Sequence, residues 1–327
     1  MTRLDQSNWF CPEHQSRLNE AGDSLHCDRE CRYQRRNGIA RFVSSENYSA
    51  AFGSQWKKYR LTQLDSHTGL SISRDRLARC LGEAWSSLKD KRVLEAGCGA
   101  GRFTEILLEK NAFVTSIDLS EAVEANQENC PQSDRHRIAQ ANILSLPFKP
   151  QTFDIVLCLG VIQHTPDPER TIAALYNQVK PGGWLIFDHY TWDFFYYTRT
   201  VPYFRMIFRR LSAEKGMLWS ERLVNNLLPI HKRMQNARVL HSLFSRISPV
   251  IGYYRAYPEL NDDLQREWAL LDTHDALTDW YKHFRTREQI EQVLQTLGPA
   301  EISCSYGGIG VEARARRPVN VPVEVAA

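Results

Sequence analysis

The sequence predicts an α/β fold, a mostly parallel sheet wrapped in helices, with a small Cys- and His-rich module ahead of it and a long helical insertion near its end. Three observations predict it. Short apolar runs alternate with helical patterns between residues 91 and 190. One of these runs enters a turn with glycines at alternate positions, "EAGCGAG" at 95–101. The alternation stops after Tyr190 and resumes only at "REQIEQVLQTLG".

Residues 9–44 are rich in Cys, His, Arg and Gly and poor in periodic pattern, which marks 1–44 as a small clipped module. From 45 to 90 the pattern is helical. Phe52, Trp56 and Tyr59 share one face, and Leu77, Leu81, Ala84, Trp85 and Leu88 form a second stripe. In 91–190, "RVLEAG" is a buried strand, followed by a helix through Phe103, Ile106 and Leu107. "AFVTSIDLS" is the second strand and "EAVEANQEN" its helix; "RIAQANI" is the third strand and "FDIVLCLG" the fourth. "TIAALYNQVKPGG" reads as a helix closed by its Pro-Gly-Gly turn, and "WLIFDHY" as the fifth strand. The interruption, 191–285, is mostly helical and rich in Tyr, Phe, Trp and Arg. In 286–327 a helix with a glycine stop precedes a closing pair of strands, "EISCSYGG" and "GVEARAR".

A length of 327 residues suits one large α/β domain with additions, and 43% hydrophobic with 24% charged residues is an ordinary soluble composition. A net charge of +3 does not mark the whole chain as a nucleic-acid binder. No window approaches the roughly 18 to 20 apolar residues that span a bilayer, and "MTRLDQSNWFCPEH" lacks the apolar core of a signal peptide. The reading is a cytoplasmic chain without a transmembrane segment, its eight cysteines free rather than paired in disulfides.

A strand that enters a glycine-rich turn and leaves as a helix makes a nucleotide-type site, because backbone N–H groups point outward there and bare glycines allow close approach. A dinucleotide would want Gly-x-Gly-x-x-Gly. Here the spacing is Gly97-x-Gly99-x-Gly101, and Glu95 is a carboxylate unwelcome beside pyrophosphate. It suits a cationic ligand such as S-adenosyl-L-methionine, which carries a sulfonium and an ammonium group. Asp118 ends the second strand where an acid receives both ribose hydroxyls. In "QANILSLPF", Asn142 offers a carbonyl oxygen to an adenine amino group, with Ile143 against the ring.

With these elements in order, the chain resembles the class I S-adenosylmethionine-dependent methyltransferases over roughly residues 91–190 and the closing strands. The resemblance implies a Rossmann-like, seven-stranded core. It assigns the cofactor to Glu95, Gly97, Gly99, Gly101, Asp118, Leu119, Asn142, Ile143 and Leu159. Asn142 departs from the family's usual Asp, but an amide oxygen accepts the same hydrogen bond.

"CPEH" and "CDREC" supply Cys11-x2-His14 and, twelve residues later, Cys27-x3-Cys31. Two close pairs of thiolate and imidazole ligands suit a structural tetrahedral zinc, and so small a module has little core otherwise. The stretch resembles a degenerate zinc ribbon, and "NGIARF" is similar to the turn and strand that leave such modules in some methyltransferases.

Methyl transfer is an in-line displacement, and a base is needed only where the acceptor's proton must leave. Candidate catalytic residues are His189 and His164, at the exits of the fifth and fourth strands, and His274 in "LDTHDALTDWYKHFRT". Trp56, Tyr190, Tyr281 and His283 are candidates for contact with the acceptor, and His189, Tyr190, His274, Tyr281 and His283 are expected to converge on one cavity roofed by Trp56. Residues 191–260 hold eleven Arg or Lys against four Asp or Glu, a net +7, in a cap able to receive an anion. The function this predicts is methylation of a small-molecule acceptor, anionic, sugar or natural-product in type, with oxygen favoured over nitrogen or carbon. One alternative is a zinc-ribbon enzyme methylating ribosomal or transfer RNA, suggested by the basic "RECRYQRR". Another is a non-catalytic, cofactor-binding partner subunit.

Overall fold

The computed structural model describes residues 8–43, 55–192 and 198–319, so Phe52 and the aromatic run at 193–197 lie outside it. The sheet is built outward from β5 (Arg92–Ala96), whose Val93, Leu94 and Ala96 are all buried, as a strand with both faces covered requires. β6 (Phe113–Asp118) and β8 (Phe153–Cys158) run parallel to it on either side. β7 (His136–Gln140) lies beyond β6, and β9 (Val179–Tyr190) beyond β8. β11 (Gly310–Arg316) pairs antiparallel with β9, and β10 (Glu301–Gly307) closes that edge. Helices Thr104–Glu109, Ala122–Asn129 and Pro168–Asn177 make the crossovers. The order β7-β6-β5-β8-β9-β11-β10 reverses direction between β5 and β8. At such a switch point the loops diverge and open a crevice at the carboxyl edge of the sheet.

Among the described residues the sheet has eleven strands rather than the seven expected. β1 (Asn19–Ala21), β2 (Ser24–His26), β3 (Arg32–Arg36) and β4 (Ile39–Arg41) form a meander, and β4 pairs in parallel with β7 through Ala40↔Ala139 and Arg41↔Gln140. Packing explains the junction. Trp9 sits 5.4 Å from Phe42 and 5.6 Å from Phe148 between ring centroids, and Arg41 donates to Gln140 (3.1 Å) and Glu124 (2.9 Å).

Pro181-Gly182-Gly183 does not close a helix. The helix stops at Asn177, Val179 already belongs to β9, and the register with β8 slips from Phe153↔Val179 to Ile155↔Trp184. The dipeptide after the proline is absorbed in this irregularity, with Gly182 at φ 76°.

The insertion after β9 contains helices Val201–Phe208, Ala213–Met234, Arg238–Ile247 and Asp262–Thr278. The second and fourth pack through Val224, Leu228, Ala269 and Leu270. Their starts are capped by Ser212 and Asn261, which accept from Lys215 N and Leu264 N. The segment before β5 is tied to the same unit, for Gln55 donates to Leu271 O (3.0 Å) and the Trp268 indole to Thr62 O (2.8 Å). Both together roof the carboxyl edge of the sheet.

Candidate active site

Between roof and sheet lies a cavity of about 1100 Å³. Its floor is the turn after β5. Gly97 has φ 81°, and a Cβ there would stand 2.2 Å from Val161 Cγ2, so only glycine fits. The Trp56 ring lies over Gly99, close enough that an added Cβ would meet it at 3.5 Å. Gly99 N donates to Asp118 Oδ2 (3.0 Å), while Ser120 N and Oγ donate to Oδ1 (2.8 and 2.7 Å). Burial raises the Asp118 carboxyl above its ordinary range, and the Ser120 and backbone donors pull it back. Leu119, Asn142, Ile143 and Leu159 continue the wall. Asn142 Oδ1 accepts from Leu144 N (2.9 Å) and so shapes the loop after β7.

Glu95 and Gly101, expected against the cofactor, are not in the cavity wall. Glu95 pairs with Ser116 across β5 and β6 and points into the helix layer. Its Oε2 accepts from Thr104 Oγ1 (2.5 Å) and Ser116 Oγ (3.3 Å), and Asn126 donates on to Thr104 (2.9 Å). Burial pushes its carboxyl up to about 7 against those two hydroxyls. Gly101, at φ 97°, lets the turn approach the helix after β6, for a Cβ there would lie 3.2 Å from Asn126 Nδ2.

Arginines complete the wall, and sequence reasoning missed them. Arg102 follows the last glycine. It donates to Ser73 Oγ (3.1 Å) and Gln63 Oε1 (2.6 Å) and lies 4.9 Å from the Phe103 ring centroid. No carboxylate pairs with it among the described residues, and burial lowers it to about 10. Arg76 is paired with Asp188 of β9, whose Oδ1 also accepts from Gly160 N (2.6 Å).

The far side of the cavity is aromatic and acidic, with Tyr190, Tyr253, Tyr257, Trp268, Asp272 and Asp275 among its lining. Burial pushes Asp272 up to about 6, although the Tyr253 hydroxyl donates to it. His164 also lines this side. Its Nδ1 is 3.0 Å from Asp279 Oδ2 and 3.2 Å from Tyr281 O, and its Nε2 is 3.9 Å from Asp275 Oδ2. Burial pulls this imidazole down, but Asp275 and Asp279 outweigh it and leave it above its ordinary value. Arg205 and Lys282 share the Asp279 carboxylate.

The expected convergence of five residues is not observed. Tyr190, with Trp56 and His164, lines the cavity; His189, His274, Tyr281 and His283 do not. Side chains alternate along a strand, so Asp188 and Tyr190 serve the cavity side of β9 and His189 the other. His189 is fully buried, its Nδ1 2.8 Å from Tyr190 O, and burial drops it to about 4. On helix Asp262–Thr278, Trp268, Asp272, Asp275 and Ala276 face the cavity. His274 instead bonds Thr278 Oγ1 (3.0 Å), which lies over Gly216 of the neighbouring helix, and burial drops it to about 4 too. Tyr281 stacks on His283 at 6.2 Å, and His283 N is bonded to Gln163 O (2.9 Å).

A second cluster lies in the N-terminal meander. The sulfurs of Cys11, Cys27 and Cys31 are 3.6, 3.4 and 3.4 Å from His14 Nδ1. In a tetrahedron with bonds of about 2.3 Å to sulfur and about 2.1 Å to nitrogen, that separation is about 3.6 Å. The donor set and its spacing fit a closed four-ligand site.

Residues 94–187 match the methyltransferase domain family. The ubiquinone biosynthesis O-methyltransferase of Pseudomonas entomophila (strain L48) is 38% identical over 106 residues, which are 31% of this chain and 45% of that one. Its namesake in Coxiella burnetii (strain Dugway 5J108-111) is 33% identical over 127 residues, 38% of this chain and 54% of that one. The chain thus spans about half the length of these curated relatives. A solved structure of Haemonchus contortus phosphoethanolamine N-methyltransferase 2 with S-adenosyl-L-methionine aligns over 72% of this chain and 38% of its own, at 16% identity and a TM-score of 0.39.

Proposed function

We propose, taking as premise that residues 94–187 are a class I S-adenosylmethionine-dependent methyltransferase domain, that the whole chain methylates an oxygen of a small-molecule acceptor held beneath the helical insertion. The cavity carries this reading. It joins the glycine turn, Asp118 and Asn142 at one end to aromatic side chains and His164 at the other. A volume of about 1100 Å³ exceeds the ~300–1000 Å³ usual for one drug-sized ligand, which leaves room for cofactor and acceptor together. The names of the relatives support oxygen as the acceptor atom.

When bound, S-adenosyl-L-methionine supplies a methyl group on a cationic sulfur, activated for displacement. The chain's own groups do the rest. Asp118 receives the ribose hydroxyls, the bare turn at Gly97 and Gly99 admits the methionine part, and Asn142, Ile143, Leu119 and Leu159 hold the adenine. Arg102, without an acidic partner among the described residues, receives the methionine carboxylate. Tyr190, Trp56 and the cap, residues 191–285, position the acceptor and exclude water. Asp279 Oδ2 and Tyr281 O accept from the Nδ1–H of His164, which keeps Nε2 as the atom that accepts the proton of an acceptor hydroxyl. Cys11, His14, Cys27 and Cys31 hold a structural zinc, which takes no part in the chemistry.

Calorimetry with S-adenosylhomocysteine tests the cofactor site. Asp118→Ala and Arg102→Met are each expected to weaken binding by roughly 1–3 kcal/mol, the worth of a charge-assisted hydrogen bond. Affinities equal to that of the parent protein would remove these assignments.

A further inference from the structure

The insertion carries an apolar face that no described residue covers. Helix Arg238–Ile247 buries none of its ten residues. Val239, Leu240, Leu243 and Ile247 recur at spacings of three and four, on one stripe, and each is between 56% and 73% exposed. The opposite side, His241 and Phe244, rests on His231 at ring separations of 5.4 and 4.8 Å. Thr200 fastens the start of helix Val201–Phe208 to the end of this one, its N donating to Arg246 O (3.0 Å) and its Oγ1 to Ile247 O (3.0 Å). On that helix Tyr203, Met206 and Ile207 follow the same spacing and are 58% to 64% exposed. A single exposed leucine means little, but two adjoining stripes mark a contact surface.

Charge selects the occupant. From residue 222 to 258 there is no Asp or Glu, against Arg222, Lys232, Arg233, Arg238, Arg246 and Arg255. Arg199, Arg209 and Arg210 bracket the other helix, and residues 198–213 also lack an acid. Asp262 holds Lys232 and Asp279 holds Arg205, but the charged residues of the stripes' own segments are all cations, which matches a surface that offers acyl chains beneath a dense, mobile layer of phosphates. A folded protein partner would have to present many fixed acids in register. No described helix is long and apolar enough to cross a membrane, so the arrangement lies on a bilayer rather than through it. Arg199 and Val201 also line the cavity, so the first of these helices, Val201–Phe208, starts at the cavity wall.

We propose that helices Val201–Phe208 and Arg238–Ile247 dock this chain on the surface of an anionic phospholipid bilayer. The proposal does not depend on the reaction catalysed. Flotation with vesicles tests it, comparing phosphatidylcholine mixed with phosphatidylglycerol against phosphatidylcholine alone. The full chain is expected to float with the mixed vesicles and to be released by salt. Leu240→Asp with Leu243→Asp should lower partitioning at least about tenfold, since charged side chains replace the inserted ones. Arg209→Glu with Arg238→Glu should lower it on the mixed vesicles only. All four side chains are exposed, so the variants should melt as the parent does by circular dichroism. As a second readout, a polarity-sensitive dye on Ile247→Cys should shift to the blue with mixed vesicles. Failure of the parent chain to float, or undiminished flotation of the Asp variant, would overturn the proposal. So would a dimer in sedimentation that the Asp variant splits while neither form binds vesicles, because the face would then be a contact between copies.

Discussion

Glu95 sits two residues before Gly97, with one carboxyl oxygen held by Thr104 and Ser116 and the other without a partner among the described residues. Its carboxyl is raised from 4.5 to about 7 by burial, so between those values the folded chain holds a proton that the unfolded chain has released. Stability should therefore fall as pH rises from 4.5 to 7, by about 3 kcal/mol for this group alone. Glu95→Gln, neutral throughout, should flatten that part of the profile in urea unfolding at a series of pH values; an unchanged slope would show that the carboxyl is ionised in the native state. The motif was legible at this scale because a turn imposes residue types. Gly97 has no alternative beside Val161, and Asp118 ends a strand at the cavity. The direction in which Glu95 points was not legible, since it depends on Ser116 and Thr104 arriving from other elements. Arg102 left a faint signal, a cation next to the last glycine, but its lack of an acidic partner exists only in three dimensions.

Periodicity decides which histidines meet the cavity. β9 turns Asp188 and Tyr190 one way and His189 the other, and helix Asp262–Thr278 presents Asp272 and Asp275 while His274 faces its neighbour. Both patterns were present in the sequence: alternation on the strand, and spacings of three on the helix and its cap. His164→Ala is expected to lower turnover by ~10²- to 10⁴-fold with cofactor affinity nearly unchanged. Because Asp275 and Asp279 hold His164 above its ordinary value, the rate should rise with pH through a pKa above 6.5, and Asp279→Asn should move that inflection downward. His189→Ala should leave turnover close to that of the parent and lower the melting temperature instead. The reverse ranking in steady-state assays would return the base to β9. The core strands and crossover helices were legible because each is a local apolar pattern. The Pro-Gly-Gly segment was not, because its turn chemistry fits a strand irregularity as well as a helix end.

At the scale of the molecule, the ligand spacing of the N-terminal meander was legible but its attachment was not. β4 and β7 are separated by about a hundred residues of sequence, and nothing local announces that Ala40 will lie beside Ala139. Elemental analysis should find about one zinc per chain, lost in Cys27→Ser; a fully folded, metal-free parent protein would remove the metal. The meander also has a bearing on solubility. With β4 in place, β7 is an interior strand, all five of its residues buried, and the sheet ends on β1, three exposed residues long. Unfolding of the meander would leave β7 as a raw edge, a row of unpaired amides and carbonyls able to recruit the same strand of another chain. Chelation should then be followed by self-assembly, seen as rising light scattering, before the α/β core melts. A metal held there would protect the chain from its own copies.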